Sequence, residues 1–430
     1  MYLVLLLLLT IGLVFIEHLA VVSIITVAFT LAIIVSTRAP LRQRLVPYAM
    51  FAAAAIIMLF NDLSPFDTIG GTRSFTLTIL MIISITLIGA LVNPGGIVYL
   101  YGRLKSQFKS GNEHNMLIYS SAVASPLLNM ATPVIYGEMF RNGAGPHDVI
   151  VANNVKYGMM IAMLVAPTFA PIALVIGAHP GIHWSNTLAY SLPIAFITLM
   201  YFVFTSRGVF QLNMDREGDS ANSGVIWILV YLGLMFTLLM NDLFNAVVSI
   251  IVAAQATVAL AIVSHRRGRA GDYFRRVNMK CAEVVKKINN EALIFVASGV
   301  LLVSITQFMK NDLAMLSFIA SLDKQLLVPF VLLALPLLSM ARLHPIIGFT
   351  LVQPFVYLNQ ELVEMQKYML WVCYWAVSLQ ISPISVINIA TSNAFEIRAD
   401  SLTTFNDFVK VYILGMVYSL FIIFYGGLNL

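Results

Sequence analysis

The sequence predicts an all-α, polytopic membrane protein of about eleven transmembrane helices plus two re-entrant hairpins, in two repeats of inverted topology. Three observations predict it. The first is composition. Of 430 residues, 60% are hydrophobic and 10% charged, and mean hydropathy is +0.88. A soluble chain is about 25% charged and coats itself with that charge. This excludes a soluble enzyme, a disordered chain and a nucleic-acid binder. The second is a series of apolar runs at 2–16, 19–36, 46–60, 75–100, 116–140, 149–177, 187–206, 223–240, 243–264, 291–308, 326–358, 366–392 and 408–427. They are too long and continuous for barrel strands, and a helix satisfies its own backbone in lipid. The third is that the runs 116–140 and 326–358 are broken midway by proline and polar residues.

The first run has no basic segment ahead of it, and the next span follows at once. It reads as a leading helix (1–18) rather than a cleaved signal peptide. The net charge of +5 and pI near 9.1 come from a few loops. Arg38, Arg42 and Arg44 lie in one, Arg103, Lys105 and Lys109 in another. The most basic, 265–288, holds Arg266, Arg267, Arg269, Arg275, Arg276, Lys280, Lys286 and Lys287. Lys and Arg resist translocation, so these loops are expected inside an inner (cytoplasmic) membrane. The N-terminus is then cytoplasmic and the C-terminus periplasmic or extracellular. The segment 273–290 also has the pattern of an amphipathic arm. Cys281 and Cys373 make neither a disulfide framework nor a zinc site, so no metal or cofactor is expected. Asn93-Pro94-Gly95-Gly96 reads as a kink, and Glu17 and His18 as an outer turn.

Proline breaks the helix ladder, and freed backbone at membrane depth survives only within protein or along a wet cavity. The segments Ser125–Pro133 and Pro336–Pro345 are therefore expected to be the tips of two hairpins that enter and leave on the same side. The chain then divides into two similar halves, 19–206 and 223–427. Between them, 207–290 holds a linker, two scaffold helices and the basic loop, overlapping the second half. Each half runs three spans, a hairpin (116–140 or 326–358), a broken span (149–177 or 366–392) and a final span. Five spans is an odd number, so the halves are inverted. Pro167 in Ala166-Pro167-Thr168-Phe169 and Pro383 in Ser382-Pro383-Ile384-Ser385 lie 216 residues apart.

Paired hairpins and broken helices in inverted halves point to the binding site of a secondary transporter. Helix N-termini there favour anions, and unwound carbonyls and hydroxyls suit Na⁺. The expected substrate- or ion-binding residues are Ser125, Asn129 and Thr132 at the first tip, Ser339, Arg342 and His344 at the second, and Thr168, Ser382, Ser385 and Asn388 at the breaks. Na⁺ is expected near Ser125, Asn129 and Thr132. Each set has a plainer alternative. Ser, Thr and Asn also cap freed backbone or join helices. Arg342 either binds an anion through its planar fork or snorkels to the surface. His344 either relays a proton or is solvated. Lys156 is expected as an interfacial anchor, with a buried counter-charge as the alternative.

This layout resembles the ion transporter superfamily, which includes the divalent anion/sodium symporters. The resemblance covers about 19–427 and is architectural. Where those symporters carry Ser-Asn-Thr at each tip, this sequence has Ser125, Asn129 and Thr132 spread out, and Ser339, Arg342 and His344. The resemblance implies a homodimer in the lipid bilayer and an elevator motion. The expected function is transport of a small organic anion coupled to H⁺ or Na⁺. The alternative is a cation/proton antiporter, against which the predicted core shows no mid-span carboxylate. No HExxH, GxSxG or P-loop motif appears, so neither an enzyme nor direct coupling to ATP is expected.

Overall fold

A computed structural model describes residues 2–15, 19–36, 41–91, 113–129, 131–140, 146–179, 181–206, 222–241, 244–264 and 270–425. Every regular element among them is helical. The order begins α1 (Tyr2–Phe15), α2 (Leu19–Ser36), α3 (Leu41–Phe60), the short α4 (Pro65–Gly70) and α5 (Arg73–Leu91). A hairpin follows, of α6 (Glu113–Leu128) and α7 (Ala131–Phe140). Then come α8 (Pro146–Val165), α9 (Ala170–Ala178), α10 (Trp184–Thr205), α11 (Asn222–Met240), α12 (Ala246–Ser264), α13 (Ala270–Asn311) and α14 (Leu313–Ala320). The second hairpin is α15 (Lys324–Met340) and α16 (Pro345–Leu358). The chain ends with α17 (Glu364–Ile381), α18 (Val386–Phe395), a 3-10 turn (Ala399–Leu402) and α19 (Phe405–Phe424).

Among the described residues, seven helices are long and apolar enough to cross a membrane. Shorter apolar helices at Leu3–Val14, Val21–Val35, Arg44–Phe60 and Ile226–Met240 stand where the sequence expects further spans. The hairpin arms differ. Helix α7 has ten residues, about 15 Å at the usual rise, against a hydrocarbon core about 30 Å thick. Helices α14 and α15 bend by 82° at their junction. Within α15 the prolines at 329 and 336 flank a π-turn at Phe330–Ala334, because Pro336 cannot donate to the ladder.

The two broken helices are the most enclosed. The buried share is 89% of the span window in Pro146–Ala178 and 83% in Glu364–Phe395, against 39% and 33% in α10 and α19. The broken helices are thus central, and the helices that follow them face outward. Around them α3 packs on α13, and α5 on α12 and α13.

One expected loop is helical. The basic segment from 270 onward continues into the span as a single 42-residue helix, α13. Val277, Cys281 and Val284 bury one face while Arg275, Arg276 and Lys280 stay exposed. This is the 3.6-residue pattern of an amphipathic arm. The arm is tied to the N-terminus by Leu3 N–H donating to Asn278 Oδ1 at 3.2 Å. The kink at Asn93–Gly96, the turn at Glu17–His18, and the basic residues Arg38, Arg103, Lys105, Lys109, Arg266, Arg267 and Arg269 lie outside the described residues.

Candidate functional site

Helix α8 stops at Val165 and α9 begins at Ala170; α17 stops at Ile381 and α18 begins at Val386. Both breaks are four residues long, with proline second, and they stay 216 residues apart at either edge. Their chemistry differs. Ser382, Ser385 and Asn388 of the second break correspond at that offset to Ala166, Phe169 and Ile172 of the first. The second break can therefore satisfy its own backbone, and the first cannot.

The second break is stitched internally. Asn388 Nδ2 donates to the carbonyls of Ser382 (2.8 Å), Gln380 (3.1 Å) and Leu379 (3.3 Å). Ser385 caps α18 by accepting from Asn388 N–H at 3.2 Å, and its hydroxyl donates to Leu379 O at 2.7 Å. These are orphan carbonyls of a helix C-terminus. The Ser382 hydroxyl and Asn388 Oδ1 are buried without a protein partner.

The first break borrows donors from outside. Trp184 Nε1 donates to Val165 O at 2.9 Å. The tip of the first hairpin supplies the other: Asn129 Nδ2 donates to Thr168 O at 3.0 Å. Asn129 can do so because it turns the tip in a left-handed conformation (φ 47°), which asparagine tolerates. Asn129 Oδ1, Thr132 Oγ1 and Thr168 Oγ1 are buried without partners, so oxygen acceptors gather where the tip meets the break. Helix α9 starts there with no side-chain cap. Ser125 is buried, but its hydroxyl donates back to Ser121 O at 2.5 Å, the local bonding that was its alternative reading.

The second hairpin meets α17 within two turns of its break. Tyr374 hydroxyl donates to Pro345 O at 2.7 Å and lies beside Ser339 and Ser378. Ser339 is buried there. Arg342 does not join it in an enclosed site. Arg342 has 66% of its side chain exposed and pairs with Asp400 at 3.2 Å. His344 caps α16, its Nδ1 accepting from Ile346 N–H at 3.2 Å, so one ring nitrogen is committed to the backbone. Like Asn129, Arg342 turns its tip in the left-handed region (φ 65°).

Lys156 corrects the sequence reading most sharply. It is 1% exposed, so it is enclosed by protein rather than snorkelling to the surface. Its ammonium donates to Leu402 O at 2.6 Å, with Asn153 Oδ1 and Gln380 O at 3.5 Å. Gln380 Nε2 returns a bond to Lys156 O at 3.0 Å. Gln380 and Tyr374 were also missed. The available signal was Lys156's place ten residues into an apolar helix, since ionisable groups inside a membrane rarely survive without a role.

Beyond α9, His179 Nδ1 meets Glu364 Oε2 at 2.9 Å, joining the ends of both broken helices. Burial holds this imidazole below its ordinary range, outweighing the pull of Glu364. The unfolded chain therefore takes up the proton first. Stability is expected to fall as pH drops below about 6.5, and His179→Gln to flatten that fall, in melting temperature against pH. Nearby, a cavity of about 350 Å³ lies between α5, α9, α13 and α16, with Ser74, Gln307, Lys310, Gln353 and Tyr357 among its lining. None of the tip residues lines it.

A membrane-embedded helical core, with two broken helices met by two hairpins, defines the class as a multi-pass membrane protein with a transporter fold. No family model and no curated protein matches the sequence. Among solved structures the chain is similar to the YdaH transporter of Alcanivorax borkumensis, with a TM-score of 0.56. That likeness covers 89% of this chain and 98% of the other at 11% identity, so it speaks to the fold.

Proposed function

We propose that the chain is a secondary active transporter that moves a small organic anion across the cytoplasmic membrane, driven by H⁺ or Na⁺. It is read as a divergent member of the ion transporter superfamily, with inverted halves, a cytoplasmic N-terminus, a homodimeric assembly and an elevator motion of hairpins and broken helices. The observation that carries this is the meeting of a hairpin with each broken helix in the most enclosed part of the molecule. Helix breaks of this kind bring helix termini and backbone carbonyls together, the groups a carrier uses for charged cargo. The crossed packing of α3 on α13 and α5 on α12 supports two related halves.

Anion binding is supported by the uncapped N-terminus of α9 and by Arg342 at the second tip. The bond to exposed Asp400 is weak enough for a substrate carboxylate to replace it. The unpartnered oxygens of Asn129, Thr132 and Thr168 would suit a coupling Na⁺. The 350 Å³ cavity beside α9 is of a size for small molecules.

The test is thermal stability of the purified protein against a panel of carboxylates, with and without Na⁺ and at several pH values. A ligand at a hundredfold excess over Kd adds about 2.7 kcal/mol. One anion class should raise the melting temperature, and Arg342→Ala and Arg342→Gly should both abolish that rise and uptake. Arg342→Gly should leave the apo protein as stable or about 1 kcal/mol more stable, because glycine relieves the left-handed turn. Normal anion response in both variants would remove Arg342 from the site. A response to Na⁺ or pH alone, with every anion silent, would favour the cation/proton antiporter.

A further inference from the structure

We propose that Lys156 is the group that carries the coupling proton, and that its ammonium clamps the two broken helices together. The inference rests on the transporter reading and deepens it by naming H⁺ as a coupling ion and its carrier.

The clamp is built from both halves. Lys156 belongs to α8, before the first break. Its oxygen partners are Leu402 O in the 3-10 turn after α18, Gln380 O two residues before the second break, and Asn153 Oδ1 one turn back on α8. Three oxygens around Nζ match the three N–H donors of an ammonium. A neutral amine has two N–H groups and a lone pair, so one oxygen would face that lone pair. Losing the proton therefore weakens the link between α8 and the second broken helix. A proton and a movement of these helices become one event.

Lysine fits this task and arginine does not. Lysine can release its proton inside a protein, whereas guanidinium stays charged. Of the charged groups on described elements packed near α8, Asp407 at the start of α19 is the one that acts on Lys156. Asp407 Oδ2 accepts from Asn153 Nδ2 at 3.4 Å, and Oδ1 from the Tyr157 hydroxyl at 2.5 Å. Asp400 in the 3-10 turn is engaged by Arg342 and Arg398. Lys410 of α19 sits over the Tyr157 ring at 5.9 Å. Helices α6, α7, α10, α17 and α18 set no charge against the ammonium.

A cavity adjoins the clamp, where a proton could leave. A cavity of about 170 Å³ is lined by Asn153, Asn154, Tyr157, Ser206, Asp407 and Lys410. The cavity borders Asp407, which Asn153 links to Nζ. The step balances simply: the amine takes a proton from water on one side of the membrane and returns it to water on the other.

The experiment compares full-length wild type, Lys156→Arg and Lys156→Gln in two readouts. The first is melting temperature between about pH 5 and 9. A titrating Lys156 gives wild type a pH slope that neither variant shares. Three parallel curves would overturn the proposal, whatever the protein carries. The second is uptake of the stabilising carboxylate into proteoliposomes under an imposed proton gradient. Proton-driven accumulation should fall about tenfold or more in both variants, while the carboxylate still raises the melting temperature of Lys156→Arg. Wild-type accumulation and pH profile in either variant would also overturn it. If wild type moves no anion but the first readout holds, the transport reading fails and the proton-carrying lysine stands. Lys156→Arg keeps the charge and the donors, so it covers the case in which Lys156→Gln does not fold.

Discussion

Replacing Asn388 with leucine is expected to cost the folded protein about 2–4 kcal/mol and to abolish transport. One amide group donates to three carbonyls of a broken helix inside the core, and its own backbone N–H meets the Ser385 cap. Leucine keeps the branched shape and the number of side-chain heavy atoms but has no donors, so the main loss is hydrogen bonding, with some overpacking from its bulkier methyl groups. A buried polar group left short of a partner costs about 1–3 kcal/mol. The carbonyls keep second partners in Ser385 and Lys156, which limits the total. Asn393→Leu, at the exposed end of the same helix, is the control and should stay within about 0.5 kcal/mol of wild type. Equal melting of Asn388→Leu and wild type would show that the break does not depend on this stitch.

Gly158→Ala is expected to be at least as damaging. A β-carbon at 158 would sit 1.9 Å from Ser121 Oγ, 2.5 Å from Ile118 O and 2.8 Å from Ala122 N. The serine can turn away, but the backbone of α6 cannot. The first hairpin lies directly on the first broken helix through this glycine, as small residues allow in membranes. Overpacking costs about 1–3 kcal/mol, and forced separation of the pair would cost more. Removing the serine hydroxyl with Ser121→Ala should not rescue it, because the two backbone atoms remain. Gly233→Ala, where a β-carbon meets nothing within 4 Å, should instead gain up to about 1 kcal/mol. Comparable melting temperatures for the two alanine variants would contradict the close approach.

What the sequence made legible follows from what local chemistry determines. Pro167 and Pro383 each stand in a short proline-and-polar interruption of a long apolar run, so the breaks could be read without tertiary structure, although proline alone does not decide it: Pro193 and Pro354 sit inside continuous helices. Asn129 and Arg342 lay in proline-flanked polar stretches, which marked both turns. The arm of α13 was visible in the spacing of Val277, Cys281 and Val284, although its charge also reads as a loop. The remainder depended on distant partners. Arg342 reads either as an anion-binding charge or as one that snorkels to the surface, and its exposure and its pairing with Asp400, 58 residues on, come only from the fold. Lys156 reads as an anchor because the polar residues Asp148, Asn153 and Asn154 ahead of it suggest a span end, where lysines usually snorkel. Its burial is set by Leu402, 246 residues away. The asymmetry of the breaks was in the sequence as Ser382, Ser385 and Asn388 against Ala166, Phe169 and Ile172. Its consequence, that the first break leans on the hairpin tip, required Asn129 to be seen against Thr168.

The most direct measurement is uptake of labelled mono- and dicarboxylates into proteoliposomes holding the purified protein, under imposed H⁺ or Na⁺ gradients. A secondary active transporter accumulates one carboxylate class above its outside concentration, and an ionophore that collapses the driving gradient releases it. Equilibration without accumulation would mean a passive channel. Movement of H⁺ or Na⁺ with no carboxylate would mean an antiporter, and either result would contradict coupled anion transport.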